Sequence, residues 1–356
     1  MKKLGIGIIG SGAIAQECHI PGYQTMPDKC EVLAVADINP DATKNAAEKF
    51  SVPYQFLDYR ELLAMPEIDA VSVSTPNLLH KQPTIDALKA GKHVLCEKPM
   101  AMNADECREM ISAEKASGKL LQIGLQWRFS GIARFMKDYI DSGKMGEIYY
   151  ARAMALRRRG VPGWGVFIDK EKQGGGPLID IGVHILDFTL YLMGYPRPVA
   201  ASGKTYQSMG RDPKHWNAWG DYDRTNFTVE DFAAGFIRFE NGATITLESS
   251  FMSNVEREIF GCHLFGKDSG AFLDLFGAQP ITIFSEMDKQ LFDMIPQNIP
   301  IVKSSHTAEV VAFVDAILND LPSPVPAENG LILNAVFDAL YKSSETNKEE
   351  PIHLGV

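Results

Sequence analysis

The sequence predicts an α/β protein with an N-terminal Rossmann-type, doubly wound parallel sheet. A C-terminal α+β domain with a large, mostly antiparallel sheet is expected to follow. Three observations carry this expectation. Short β-branched runs alternate with helical stretches through the first 123 residues, the rhythm of a parallel sheet covered by helices on both faces. A glycine turn, Gly10-Ser11-Gly12-Ala13-Ile14-Ala15, follows the first of those runs. After Gly124 the alternation stops, and stretches of period two take over.

Strands are expected at "LGIGIIG", "EVLAVAD", "AVSVST", "HVLCE" and "LLQIG", with helices at 13–26, 41–50, 78–90 and 103–117. The first domain is expected to cover residues 1–124 and the second 125–356. The second opens with a helix at 130–142, a strand at 147–157, a glycine-rich loop at 160–176 and a helix at 177–193. Pro177 suits the first turn of that helix and Gly194 its C-terminal end. "TVEDFAAGFIRFENGATITLESSF" alternates around Asn241-Gly242, a strong hairpin signal. Short strands follow to about 285, and helices at 306–319 and 327–345 close the chain. Residues 208–226, with two tryptophans, form one long irregular insertion; loops of that length are often functional, though a plain surface excursion has the same signature.

Thirty-five basic against forty-five acidic residues leave a net charge of −10, which argues against nucleic acid or an anionic membrane as partner. Five scattered cysteines suggest neither a disulfide framework nor a zinc site, so no metal is expected and a reducing cytoplasm fits. The opening "MKKLGIGIIGSGAIA" reads as a strand entering a turn rather than a signal peptide, because its apolar stretch is short and glycine-interrupted. No segment approaches the roughly 20 apolar residues of a membrane span.

The glycine turn has the form G-x-G-x-x-A. Gly10 permits the tight turn, Gly12 lets the backbone approach a pyrophosphate, and Ala15 keeps the following helix close to the strand, so Gly10 to Ile14 are candidate phosphate-binding residues. Asp37 ends the second strand, 22 residues after Ala15, where a carboxylate hydrogen-bonds a ribose diol and repels a 2′-phosphate. NAD is therefore expected over NADP. "CEKPM" places Lys98 at the carboxyl edge of the sheet, where open α/β sheets bind ligands; spacing alone allows a solvated surface lysine equally. "STPNLLH", with Thr75, Pro76, Asn77 and His80, either lines the dinucleotide cleft or is a plain helix start.

In "GGGPLIDIGVHILD", Asp180, His184 and Asp187 interrupt an otherwise apolar run. On one helix they fall within about 60° of each other, forming a single polar stripe. The residues alone leave a satisfied buried histidine and a catalytic one equally open. Arg157 and Arg159 share one face of a strand; a solvated or salt-bridged face is the simpler reading, contact with an anionic or polyhydroxyl substrate the other. Trp164 in "VPGWGVF" is either a sugar-stacking ring or a packing plug.

The segments "GIIGSGAIA", "AVADIN", "STPNLLH", "GKHVLCEKPMA", "LQWRFSG", "SGKMGEIYY", "GGGPLIDIGVHILD" and "FENGATITLESS" together resemble the glucose-fructose oxidoreductase / inositol dehydrogenase family, Gfo/Idh/MocA, along nearly the whole chain. The resemblance implies an N-terminal NAD(P) domain and a C-terminal sheet that carries substrate and an oligomer interface, hence a homodimer or homotetramer. Residue by residue it makes Lys98 of E-K-P, with Asp180 and His184 of D-x-x-x-H, the catalytic and substrate-holding groups. It adds Glu97, Lys98 and Arg128 of "LQWRFSG" to the cofactor contacts, whereas Gln126 stands where members often have asparagine.

The expected reaction is hydride transfer between a secondary alcohol of a sugar, cyclitol or related polyol and the nicotinamide, with His184 taking the hydroxyl proton and Lys98 bonding the same oxygen. An NAD-dependent redox-assisted glycosidase or lyase, using transient sugar oxidation, and a non-catalytic dinucleotide sensor are the alternatives. Retention of Lys98, Asp180 and His184 together speaks against the sensor.

Overall fold

A computed structural model describes Lys3–Gly355, and its contacts divide the chain into two compact units. The first holds the residues up to Phe129 together with Val302–Leu331; the second holds Ser130–Ile301 and the chain from Ile332 onward.

In the first unit the strands are β1 (Leu4–Ile9), β2 (Cys30–Ala36), β3 (Tyr54–Phe56), β4 (Ala70–Val73), β5 (His93–Glu97) and β6 (Leu121–Gly124), all parallel in the order β3-β2-β1-β4-β5-β6. β4 and β6 are buried at every residue, as strands covered on both faces must be. The helices are α1 (Ile20–Gln24), α2 (Pro40–Phe50), α3 (Tyr59–Leu63), α4 (Lys81–Lys89) and α5 (Ala104–Ser117). Asn39 and Asn103 cap α2 and α5 by accepting from N–H groups of their first turns, satisfying donors that the helix leaves orphaned. The expected helix at 13–26 contains a π turn, Ala15–His19, and ends in α1. β3 and α3 were not anticipated: a three-residue edge strand with two exposed positions offers no periodicity to read. The apolar core joins Ile6, Ile8, Val35 and Leu95 of the sheet, Ile20 and Tyr23 of α1, and Val310, Phe313 and Val314 from the returning helix Ser305–Leu318.

The second unit begins with α6 (Gly131–Asp141) and contains β7 (Ile148–Leu156), α7 (Lys170–Gln173), α8 (Pro177–Asp180) and α9 (Gly182–Leu192). Its further strands are β8 (Pro198–Tyr206), β9 (Phe232–Phe239), β10 (Thr244–Ser250), β11 (Ile259–Gly266), β12 (Ser269–Asp274), β13 (Ile281–Met287), β14 (Gln290–Met294) and β15 (Glu350–Pro351). Together with β7 they form a nine-stranded sheet, antiparallel throughout except for the parallel pair β7–β10. Its strands run past the expected limit of 285. α9 packs on β7, β10 and β11 and covers one face. The other face presents Tyr150, Arg152, Phe236, Thr246, Glu248, His263, Phe265 and Phe272, with Arg152 paired to Glu248 at 2.7 Å and His263 stacked on Phe272 at 4.3 Å. The helix expected at 177–193 is two: Ile181, with φ −108°, separates α8 from α9.

Candidate active site

In the first unit the strand order reverses at β1, between β2 and β4, so a crevice opens at the carboxyl ends of these strands. Gly10 follows β1 with φ +92°, and a Cβ there would lie 2.7 Å from the Ser74 backbone. Only glycine satisfies both constraints. At Gly12 a Cβ would meet nothing within 4 Å, so the space over this backbone is open to an approaching phosphate. Asp37, just past β2, accepts the Ser11 N–H through Oδ2 at 2.8 Å and the Asn39 N–H through Oδ1 at 2.9 Å. Those bonds aim its carboxylate while leaving lone pairs for a ribose diol. Ala15 is fully buried, as close packing of helix on strand requires. Open backbone at Gly12, a forced turn at Gly10 and an oriented carboxylate fit a dinucleotide carrying a free ribose diol.

Lys98 lies half-buried directly after β5. Glu97 beside it is 7% exposed and accepts the Lys98 N–H at 3.2 Å and a proton of His19 Nε2 at 2.8 Å. Burial works to raise the Glu97 carboxyl. The His19 hydrogen bond and the charges of His19, Lys98 and His306 outweigh it and hold that pKa at about 2. His80 is buried with Nδ1 2.7 Å from the Pro99 carbonyl and Nε2 2.8 Å from that of Thr75, so it joins the two loops. Burial holds its pKa below the usual value, although both carbonyls pull the other way. Thr75 Oγ1 donates to the Leu79 carbonyl, and Asn77 is buried beside it. Arg128 and Gln126 are buried, with Arg128 Nη1 donating to Asn329 at 3.0 Å.

In the second unit the two glycines directly before α8 lie against Tyr341 and Glu230. Glu230 accepts the N–H groups of Gly176 and Leu178 and the hydroxyl of Tyr341, capping α8 from across the unit. A Cβ on Gly176 would lie 2.2 Å from the Glu230 carbonyl. Burial raises the Glu230 carboxyl, and its donors pull it back. The polar stripe divides. Asp187 is buried and accepts from the Tyr195 hydroxyl, a structural pairing. Asp180 ends α8 and is 5% exposed, whereas His184 is the one residue from Ile181 to Leu190 that is not buried. Its ring meets the edge of Phe260 at 6.4 Å.

Arg157 and Arg159 do not share a solvated strand face, because β7 ends at Leu156. Arg157 instead turns inward over Trp219, 4.2 Å from the ring centroid. Burial lowers its pKa, and the charges of Asp180 and Glu258 counter that. Arg159 donates to the Ser253 carbonyl and to Asn254. Trp164 is exposed and stacks on Trp219 at 5.7 Å.

Sequence reasoning missed His19, Glu230 and Trp219. Each is a single polar or aromatic residue whose partner stands tens of positions away, so no local spacing marks it. The one local signal was a histidine, His19, placed directly before the apolar stretch "IPGY". Among the described residues no group of three or more His, Cys, Asp or Glu is placed to hold a metal, and no helix is long and apolar enough to cross a membrane.

A switch-point crevice with a glycine turn and an oriented carboxylate defines a dinucleotide-binding α/β protein. Residues 4–125 match the oxidoreductase family with an NAD-binding Rossmann fold, and residues 137–354 match that family's C-terminal alpha/beta domain. The chain belongs to the Gfo/Idh/MocA family and is an NAD-dependent oxidoreductase. It is 36% identical over 346 residues to the D-glucoside 3-dehydrogenase of Escherichia coli (strain K12), covering 97% of this chain and 96% of that one. To the levoglucosan dehydrogenase of Pseudarthrobacter phenanthrenivorans it is 30% identical over 268 residues, covering 70% of this chain and 68% of that one. A structure of levoglucosan dehydrogenase in complex with NADH and L-sorbose superposes with a TM-score of 0.88 over 99% of this chain and 100% of that one, at 21% identity, a likeness of fold.

Proposed function

We propose that the protein oxidises a secondary alcohol of a sugar, cyclitol or related polyol, reversibly and with NAD. The carrying observation is the pair Asp180 and His184, one buried and one presented, in a chain 36% identical to a D-glucoside 3-dehydrogenase. NAD, when bound against Gly10 to Ile14 and Asp37, supplies the hydride acceptor. His184 takes the proton of the reacting hydroxyl as general base. The Lys98 ammonium donates a hydrogen bond to the same oxygen and stabilises the negative charge that grows as the proton leaves. Asp180 holds and polarises the imidazole or binds an adjacent hydroxyl. Glu97 keeps Lys98 in place through its backbone, with His19 fixing Glu97 in turn.

Screening sugars, cyclitols and glycosides for NAD reduction tests this reading: NADH should form with at least one cyclic polyol. Release of an aglycone without net NADH would instead identify redox-assisted elimination. The five free cysteines fit a reducing cytoplasm.

The uncovered sheet face, with its aromatic and ion-paired residues, supports self-association into a dimer or tetramer, because an antiparallel sheet rich in apolar side chains on both faces needs a cover on each. Light scattering at micromolar concentration is expected to give twice or four times the chain mass, and a monomeric mass would refute the assignment.

A further inference from the structure

Two loops of the second unit, 160–169 and 208–228, are stitched into one arm. Asn217 donates to the Val161 carbonyl at 2.9 Å and accepts the Val161 N–H at 3.0 Å. Ala218 N–H bonds the Arg159 carbonyl, and Thr228 N–H that of Ile168. The second loop is anchored at its base, where Asp231 accepts the N–H groups of Met209 and Gly210 and Arg224 donates to the Gly210 and His215 carbonyls. On this braced arm Trp164 and Trp219 stack with their planes 19° apart, yet they stay 55% and 43% exposed. Two indoles kept wet on a rigid support are arranged for a ligand rather than for the core.

Arg157 ties this stack to the candidate chemistry. Its guanidinium lies over Trp219 at 4.2 Å and feels the charge of Asp180. Arg157 is thus shared between the Trp219 ring and the field of the Asp180 carboxylate. Pyranose C–H faces and aryl rings both stack on indole, and neither needs a charged partner.

The geometry points to a second-ring subsite: the Trp164–Trp219 stack binds the aglycone of a glycoside, an aryl group or a further pyranose, whose glycosyl ring is the one oxidised. This rests on the reaction proposed above.

The test compares phenyl β-D-glucopyranoside with methyl β-D-glucopyranoside as substrates for NAD reduction by the full-length protein. In Trp164→Ala the ratio of the phenyl to the methyl KM should rise about tenfold, the worth of one aromatic stack, and Trp164→Phe should restore most of it. An unchanged ratio overturns the subsite. A second readout needs no turnover. 4-Nitrophenyl β-D-glucopyranoside should quench tryptophan fluorescence saturably in the unaltered protein, and Trp164→Ala, folded to the same melting temperature within a few degrees, should bind it about tenfold more weakly. If neither glucoside reduces NAD, the proposed reaction fails on these substrates, and the titration still decides the subsite: quenching that is indifferent to Trp164 refutes it.

Discussion

His184→Ala is expected to lower turnover by roughly 10² to 10⁴, the usual worth of a positioned acid-base group, while NAD affinity stays nearly intact. The dinucleotide contacts proposed for Gly10 to Ile14 and Asp37 belong to the first unit, and His184 belongs to the second, so the two measurements separate cleanly. Lys98→Ala should also slow turnover. If both side chains act on one oxygen, the double variant loses less than the sum of the two barrier increases. Were His184 a packing residue, its removal would lower the melting temperature and leave activity per folded molecule unchanged. Its half-buried position, between flanking helix residues that are all buried, argues for the first outcome. Turnover and thermal unfolding on one preparation decide it.

Asp37→Ser should weaken NAD binding by about 10- to 100-fold, since hydrogen bonds to a charged group contribute roughly 1.5–3 kcal/mol. The loss has two sources. The ribose diol loses its acceptor, and the Ser11 N–H, which Asp37 holds at 2.8 Å, loses the bond that fixes the glycine turn. NADP should suffer less, because removing the carboxylate also removes repulsion of the 2′-phosphate, so the preference narrows or inverts. Titrating NADH and NADPH against both proteins measures this. Tighter binding of NADPH by the unaltered protein would contradict the role given to Asp37.

The first unit was largely legible because its signals are local. A residue that must take φ +92° beside another backbone has to be glycine, and a strand buried on both faces has to be apolar. The same locality explains what was hidden. Nothing around Glu97 announces that His19 will meet it, and nothing in "VPGWGVF" announces Trp219. The break at Ile181 was invisible because both short helices share the composition of one long helix. Arg157 was misread for a related reason: alternation assigns a face only while a strand lasts, and this one ends a residue earlier.

The helix Ser305–Leu318 has a consequence for how the chain is made. Val310, Phe313 and Val314 complete the core of a sheet whose last strand ends at Gly124. While the ribosome works through Ser130–Ile301, the emerging sheet therefore lacks part of its own interior. At synthesis rates of about 5–20 residues per second, that wait is about 10–40 s. The inserted unit can acquire most of its strands in that interval, before the nucleotide-binding half is able to close. A chain cut short between residues 130 and 301 thus carries the whole glycine turn and still lacks the Val310, Phe313 and Val314 side chains that complete the core beneath it.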